Sequence, residues 1–362
     1  MGQREILTRI TRLGVAGAAF LFGDRASLRP GGPGPIARLF GVRGSTYRPH
    51  PYTLYELNPE WHSADGRARH NVLGFRGAEV SPKKPAGRIR VVCMGESTTY
   101  CAGIEDDNAT YPARVEAHLR ARRPDLDIEV INAGVAGYTS IENLLRYHFH
   151  IAPLSPDLVV FYYTHNDVHP RRFPHLSCDY REYSRSWYEP PFGGGLRGWI
   201  ARRRNIATGN INNLVRRYDE FAGHRQAANI ANNAADAFRA NVTALALLSR
   251  HAGVQLLLVN PPYRDLWRFM SGNTERANPA YLAVFEHRCI IEDIGERLGC
   301  AIYDLARDMP YPADPKAFPN EYYMDSVHVN EKGADLMGRL VADAVFAANL
   351  IPATPLSHGR DQ

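Results

Sequence analysis

The sequence VVCMGESTTYCAG, residues 91–103, starts as an apolar run and then turns polar at a glycine, a glutamate and three hydroxyl-bearing residues. Together with the RIR just before it, the apolar half is typical of a strand that is covered on both faces. Ser97 comes two residues after Gly95, where such a strand would end. We therefore predict a buried strand followed by a polar turn that exposes the Ser97 hydroxyl.

Four more short apolar or β-branched runs occur further along the chain, at 127–134, 157–164, 254–260 and 301–305. Helix-like segments separate the strand-like runs, at about 110–123, 140–151, 232–251, 280–298 and 330–348. Strands that alternate with helices favour right-handed crossovers, which place a parallel sheet between two helical layers. The sequence therefore predicts an α/β protein with a doubly wound parallel sheet.

The chain divides into three predicted regions. Residues 1–35 hold an apolar segment and a turn-rich linker, and residues 36–87 mix aromatic residues and prolines without a helical period. The core domain is predicted at 88–350, where strands and helices alternate. A long insertion at about 168–230 interrupts this core after its third strand, and insertions of that length are usually lids, binding elements or disordered segments.

The composition of the 362 residues argues against several classes of protein. A formal net charge of +5, with the arginines scattered along the chain, does not favour a nucleic-acid partner. The five cysteines show no CxxC or Cys/His spacing, so neither a disulfide framework nor a zinc site is indicated. The glycine loops lack a complete G-x-G-x-x-G or a following Gly-Lys-Ser/Thr, so nucleotide phosphate binding is not indicated either. We expect no metal and no cofactor.

The N-terminus contains the apolar segment LGVAGAAFLFG at 13–23, preceded by several arginines. A membrane-spanning helix needs about 17–25 residues, so this segment fits a signal-peptide core or a short anchor better than a full span. No A-x-A-like cleavage site follows it. The location therefore stays open: we favour the cytoplasm, with export or a membrane attachment through residues 13–23 as the alternative.

Candidate site residues come after predicted strands or before the last helix, at the edge where open parallel sheets bind ligands. They are Ser97 after the first strand, Gly137 after the second, Asn166 after the third, and Asp325 and His328 before the last helix. Singly, each type has a common structural use as a helix cap, turn residue or buried histidine. Together they supply a nucleophile, a small-residue loop, an amide donor and an acid/base pair, which are the parts that acyl transfer needs.

Asp325 and His328 are three residues apart, which on a helical turn brings both side chains to one face. The carboxylate can then hold the Nδ1–H of the imidazole, so that Nε2 is free to take a proton from Ser97. The spacing therefore predicts that these two residues act on the serine as a pair.

Four blocks of the sequence, taken in order, resemble the SGNH (GDSL-type) hydrolases over about residues 88–348. They are GES at 95–97, AGVAGYTS at 133–140, ND at 166–167 and DSVH at 325–328. The chain departs from the family's usual residues at Glu96, where aspartate is usual, and at Thr164, where glycine is usual. If position 164 requires a positive φ, a β-branched residue there is strained, and this would disturb Asn166.

The resemblance implies a three-layer α/β/α, flavodoxin-like fold with a five-stranded doubly wound parallel sheet, an N-terminal extension and an insertion after the third strand. It also implies Ser97 as nucleophile, His328 as general base and Asp325 as the residue that orients it. The backbone N–H groups of Ser97 and Gly137 and the side-chain amide of Asn166 are implied as the oxyanion hole.

The function that we favour is hydrolysis of an ester through an acyl-enzyme. The substrate is a small-molecule or carbohydrate ester, an O-acetyl group on a carbohydrate being one example. Two alternatives use the same residues: an O-acyltransferase, in which a sugar hydroxyl replaces water, and a binding protein with a degenerate site. A third alternative is a metallohydrolase, because His165, Asp167 and His169 would share one face of an extended strand.

Overall fold

The computed structural model describes residues 46–173, 176–183, 226–262, 279–311 and 318–351. The apolar segment at 13–23 and most of the expected insertion at 168–230 lie outside these residues. No helix in the described ranges is both long enough and apolar enough to cross a bilayer.

The described strands are β1 (Tyr47–His50), β2 (Leu54–Leu57), β3 (Arg88–Gly95), β4 (Asp127–Asn132), β5 (Leu158–Tyr162), β6 (Gln255–Asn260) and β7 (Ala301–Asp304). Within the described residues, five of them form one parallel sheet in the order β4-β3-β5-β6-β7, and β1 and β2 form a separate hairpin. The prediction of a doubly wound parallel sheet is confirmed. The chain leaves β3 towards β4 and then crosses to β5 on the other side, so a crevice opens between the carboxyl ends of β3 and β5.

The described α-helices are α1 (Ser97–Tyr100), α2 (Tyr111–Arg122), α3 (Ser140–Arg146), α4 (Gln226–Asn232), α5 (Asp236–His251), α6 (Pro279–Leu298) and α7 (Glu331–Ala347). A π-helical turn, Tyr147–Ile151, continues α3, so the segment predicted at 140–151 is helical but changes its register midway. The helix predicted at 232–251 starts later, at Asp236. Just before it, the Asn233 side chain donates to two backbone carbonyls of the 171–173 turn, at 2.8 and 2.7 Å.

Successive side chains of β3 enter two different apolar layers. Ile89, Val91 and Cys93 pack in a cluster with residues of α2 and α7. Val92 and Met94 pack on the opposite face with residues of α5 and α6. All five side chains are fully buried. This two-sided burial explains why the strand reads as a continuous apolar run.

Residues 46–87 contact the loops at the carboxyl edge of the sheet. The guanidinium of Arg76 is buried and pairs with Asp107 at 2.8 Å. It also donates to three carbonyl oxygens that follow the Ser97 turn, those of Tyr100, Cys101 and Ile104. The extension therefore supports the backbone around the first strand end, although the predicted boundary near residue 88 stays a prediction.

The β1–β2 hairpin supports the loop after β4 in the same way. The Tyr55 hydroxyl donates to the Ala136 carbonyl at 2.9 Å, and the Tyr138 hydroxyl donates to the Tyr55 carbonyl at 2.5 Å. Both tyrosine side chains are buried. The β1–β2 hairpin therefore stabilises the loop that carries Gly137.

Candidate active site

The turn after β3 leaves no room for a side chain at Gly95. A Cβ atom there would lie 2.1 Å from the Tyr162 carbonyl oxygen and 2.4 Å from Thr99 Oγ1. The chain then passes through Glu96 in extended geometry and enters the short helix α1 at Ser97. A strand, a tight turn and a helix start thus hold the Ser97 hydroxyl at the edge of the sheet.

Three side chains, two from one loop and one from a distant part of the chain, form a hydrogen-bonded row at this edge. His328 Nε2 lies 2.9 Å from Ser97 Oγ, and His328 Nδ1 lies 2.8 Å from Asp325 Oδ2. Partial burial raises the pKa of Asp325, but hydrogen bonds from His328 and from the Val327 N–H outweigh it, so the pKa is lower than usual. The carboxylate is therefore charged at neutral pH and faces the imidazole.

Asp325 and His328 lie on a bent loop, so the prediction of a helical turn between them is wrong. Asp325 Oδ1 accepts the backbone N–H groups of Val327 and His328, at 2.8 and 2.7 Å. Aspartate commonly accepts the backbone N–H two or three residues later, and this stabilises a turn in place of a helix. Helix α7 begins only at Glu331, after the Asn330 cap.

The loop after β4 packs directly on the nucleophile turn. The Val135 N–H donates to the Gly95 carbonyl at 3.1 Å. A Cβ atom on Gly134 would lie 2.2 Å from the Tyr100 nitrogen of α1, so only glycine allows this approach. Gly137 has a φ of 82°, in the left-handed region that favours glycine. Gly137 thus lies in a loop that packs on the turn carrying Ser97.

Asn166 begins a 3₁₀ turn, Asn166–Val168, just beyond β5 and is buried. Its side-chain Nδ2 donates to the Tyr138 carbonyl at 2.9 Å. The amide is therefore attached to the loop that contains Gly137. Thr164 does not have a positive φ, so the strain that would follow from a β-branched residue there does not arise.

The model of the GDSL-like Lipase/Acylhydrolase family matches residues 93–336, which include all five of these positions. The chain belongs to this family. The predicted resemblance is confirmed, and as a member of the GDSL-like lipase/acylhydrolase family the protein is a hydrolase that acts on ester bonds.

The chain is also similar to several solved structures. An acetylxylan esterase from Geobacillus stearothermophilus is 17% identical, with 72% of this chain and 94% of that chain covered and a TM-score of 0.44. An α/β hydrolase from the metagenome of Lake Arreo, Spain, is 18% identical, with 73% and 96% covered and a TM-score of 0.43. No curated protein matches the chain.

Glu96, one of the two departures from the family's residues, has its carboxylate at the end of β5. It accepts the Thr164 N–H at 3.0 Å and pairs with the Thr164 hydroxyl. Burial raises the pKa of Glu96 to about 8, although hydrogen bonds from Thr164 work against this. No sequence pattern predicts this contact, because it joins residues 68 positions apart.

Asp167, next to Asn166, ties the end of β5 to the start of α3. Its buried carboxylate accepts the Ser140 N–H at 2.9 Å and the Tyr180 hydroxyl at 2.9 Å. Burial raises the pKa of Asp167 to about 7. The geometry does not support the metallohydrolase alternative, because residues 166–168 form a 3₁₀ turn and not a strand, and this carboxylate already accepts hydrogen bonds from Ser140 and Tyr180.

A different trio could hold a metal ion. In the described part of the chain, His50, Glu56 and His150 place one potential ligand atom each within 4.8 Å of one another. Two of these donors are already engaged, since Arg48 pairs with Glu56 at 2.7 Å and the Thr53 N–H donates to His50 Nδ1 at 3.1 Å. These contacts use one oxygen of the Glu56 carboxylate and one nitrogen of the His50 ring, so they do not by themselves block an ion.

Proposed function

We propose that this member of the GDSL-like family hydrolyses a carboxylic ester through an acyl-enzyme on Ser97. The observation that supports it most is the continuous row from Asp325 through His328 to Ser97, with separations of 2.8 and 2.9 Å. Such a row lets the imidazole accept the serine proton while the carboxylate stabilises the imidazolium that forms.

In the first half of the reaction, Ser97 Oγ attacks the ester carbonyl carbon as His328 Nε2 takes the serine proton. The tetrahedral intermediate collapses, and the alcohol leaves with the proton from His328. In the second half, a water molecule gives its proton to His328 and attacks the acyl-enzyme. The second tetrahedral intermediate collapses as His328 returns that proton to Ser97 Oγ, which releases the acid and restores the Ser97 hydroxyl. Asp325 stays charged throughout, in keeping with its lowered pKa.

The oxyanion is held, in this proposal, by the N–H groups of Ser97 and Gly137 and by the Asn166 amide. A side-chain amide has two N–H groups, and the Tyr138 carbonyl takes one of them. The second N–H can donate to the negative charge that develops on the oxyanion. One such donor contributes about 3–4 kcal/mol to the transition state.

The test compares the wild-type protein with the Ser97→Ala variant on p-nitrophenyl esters of several chain lengths and on an acetylated oligosaccharide. We expect turnover by the wild type and a near-complete loss in the variant. Ser81→Ala changes an exposed serine and serves as the control. Equal rates for wild type and Ser97→Ala on every ester would refute the proposal.

Two further measurements separate the related functions. Adding a carbohydrate acceptor and analysing the products distinguishes hydrolysis, which gives free acid, from transfer to the sugar hydroxyl. Labelling with a fluorophosphonate probe distinguishes an activated serine from a degenerate site, because an unactivated hydroxyl does not react. We expect free acid as the product, and labelling that is lost in Ser97→Ala.

A further inference from the structure

The two positions at which the chain departs from its family's usual residues contact each other. Glu96 Oε1 accepts the Thr164 N–H at 3.0 Å, and Oε2 pairs with the Thr164 hydroxyl. Both residues are buried, with 1% and 0% exposure. Glutamate is one methylene longer than aspartate, and threonine has a hydroxyl that glycine lacks. The longer Glu96 side chain and the Thr164 hydroxyl therefore each provide one partner of this hydrogen bond.

Glu96 is joined to both sides of the site. Its backbone carbonyl accepts the N–H groups of Thr99 and Tyr100, at 3.1 and 2.9 Å, which fixes the turn that carries Ser97. Its side chain does not cap helix α1 but reaches the end of β5. The same residue thus connects the nucleophile turn to the strand end that leads to Asn166.

Thr164 is the corresponding anchor on the other strand. It lies two residues before Asn166, and the Asn166 backbone adds a further favourable interaction with the Glu96 carboxylate. Rotation or displacement of the 164–166 segment would break these contacts and move the Asn166 amide. A shift of about 1 Å in a reacting group's position can cost roughly 10²-fold in rate.

We propose that Glu96 and Thr164 are a positioning pair that holds the Asn166 amide at a fixed distance from Ser97 Oγ. This inference rests on the proposed esterase function and deepens it. Neither residue contacts the substrate; both act through the backbone, and the loss of their contact lowers kcat more than it changes KM.

The central variant is Thr164→Val, which removes the hydroxyl and keeps the shape and the backbone N–H. We expect kcat for the best p-nitrophenyl ester to fall about tenfold or more, with KM within about twofold of wild type, because positioning matters most in the transition state. Thr164→Ser restores the hydroxyl and should recover most of the loss. Thr110→Val is the matched control, since Thr110 is buried and donates to the Asp107 carbonyl, away from Glu96.

A second comparison tests whether the two residues act together. Glu96→Asp shortens the carboxylate and should lower kcat on its own, since the side chain no longer reaches Thr164. From kcat we obtain the increase in activation free energy for each single variant and for the double variant Glu96→Asp/Thr164→Gly. We expect the increase in the double variant to be smaller than the sum of the two single increases, because the effects of residues in direct contact are not additive. Additive losses would contradict a coupled pair.

Thermal unfolding midpoints are measured for every variant, so that positioning can be separated from folding. If Thr164→Val and Thr110→Val both lower the midpoint and both keep wild-type kcat, the pair supports folding alone and the inference is overturned while the esterase function stands. A wild-type protein without Ser97-dependent turnover overturns both. A fall in kcat confined to Thr164→Val, with recovery in Thr164→Ser, supports the inference.

Discussion

The side-chain amide of Asn166 donates to the backbone carbonyl of Tyr138 at 2.9 Å, which links the loop after β5 to the loop after β4. These two loops carry two of the three proposed oxyanion donors. The contact therefore gives the amide a fixed orientation before any substrate binds, and such preorganisation is the main source of oxyanion stabilisation.

Asn166→Ala removes this link together with one proposed donor. We expect kcat to fall about 10²–10³-fold, since that is the usual loss for one oxyanion donor. Steady-state kinetics on a p-nitrophenyl ester measure it. Asn143→Ala is the control, because Asn143 is also buried and its amide also donates to a backbone carbonyl, that of Thr139. Equal losses in both variants would argue against a specific role of Asn166.

Asp325→Asn tests the carboxylate without disturbing its loop. The amide oxygen can still accept the Val327 and His328 N–H groups that Asp325 Oδ1 now accepts. The amide nitrogen, however, would face His328 Nδ1 as a donor and favour the tautomer with the proton on Nε2, which cannot take a proton from Ser97. We expect kcat to fall about 10³–10⁴-fold.

The control for this variant is Asp125→Asn, an exposed aspartate paired with Arg123. It should keep wild-type kcat. If Asp325→Asn also retains most of its activity, the imidazole does not depend on this carboxylate, and the assignment of Asp325 fails.

The sheet and the row of site residues could be predicted from the sequence for a physical reason. Strands buried on both faces, such as β3, leave long apolar runs, and parallel strands bring their polar ends to one edge. Contacts between distant segments leave no such pattern. The buried Arg76 under the nucleophile turn, and the Glu96–Thr164 pair, depend on which loops meet in three dimensions.

The turn at Asp325 shows a different limit. Spacing alone predicted that the carboxylate and His328 share a face, and the two side chains do meet. The backbone between them is a bent loop because the carboxylate also accepts two N–H groups of its own turn. Periodicity cannot distinguish this competing hydrogen bonding from a helical turn.

The stability of the protein should depend on pH through Glu96. Burial raises the pKa of this carboxyl from 4.5 to about 8 in the folded chain. The folded state therefore holds the proton that the unfolded state loses, so the stability contributed by Glu96 is full below pH 4.5 and is lost as pH rises towards about 8. Glu96→Gln, which cannot ionise, removes this dependence.

Denaturant unfolding of wild type and Glu96→Gln across this range measures the difference. We expect the free energy of unfolding of the wild type to fall relative to that of the variant between pH 4.5 and about 8, and the difference to level off above. Groups that do not interact with Glu96 are present in both proteins and cancel, whereas Asp167, whose charge acts on Glu96, contributes to the difference. Parallel curves would mean that Glu96 is not protonated in the folded state.

Gly134→Ala tests the close approach of the loop after β4 to helix α1. The added Cβ would lie 2.2 Å from the Tyr100 nitrogen and 2.5 Å from the Thr99 carbonyl carbon, so the two backbones must separate. We expect a loss of about 1–3 kcal/mol in unfolding free energy, the usual cost of overpacking, and a lower kcat because the loop also carries Gly137.

Gly87→Ala is the control: its φ is +83° and no atom lies within 4 Å of the added Cβ. In that variant we expect the free energy of unfolding to fall only by the strain of the backbone, of order 1 kcal/mol, and kcat to stay at the wild-type value. Full activity in Gly134→Ala would show that the loop after β4 can move away from the nucleophile turn without loss of catalysis.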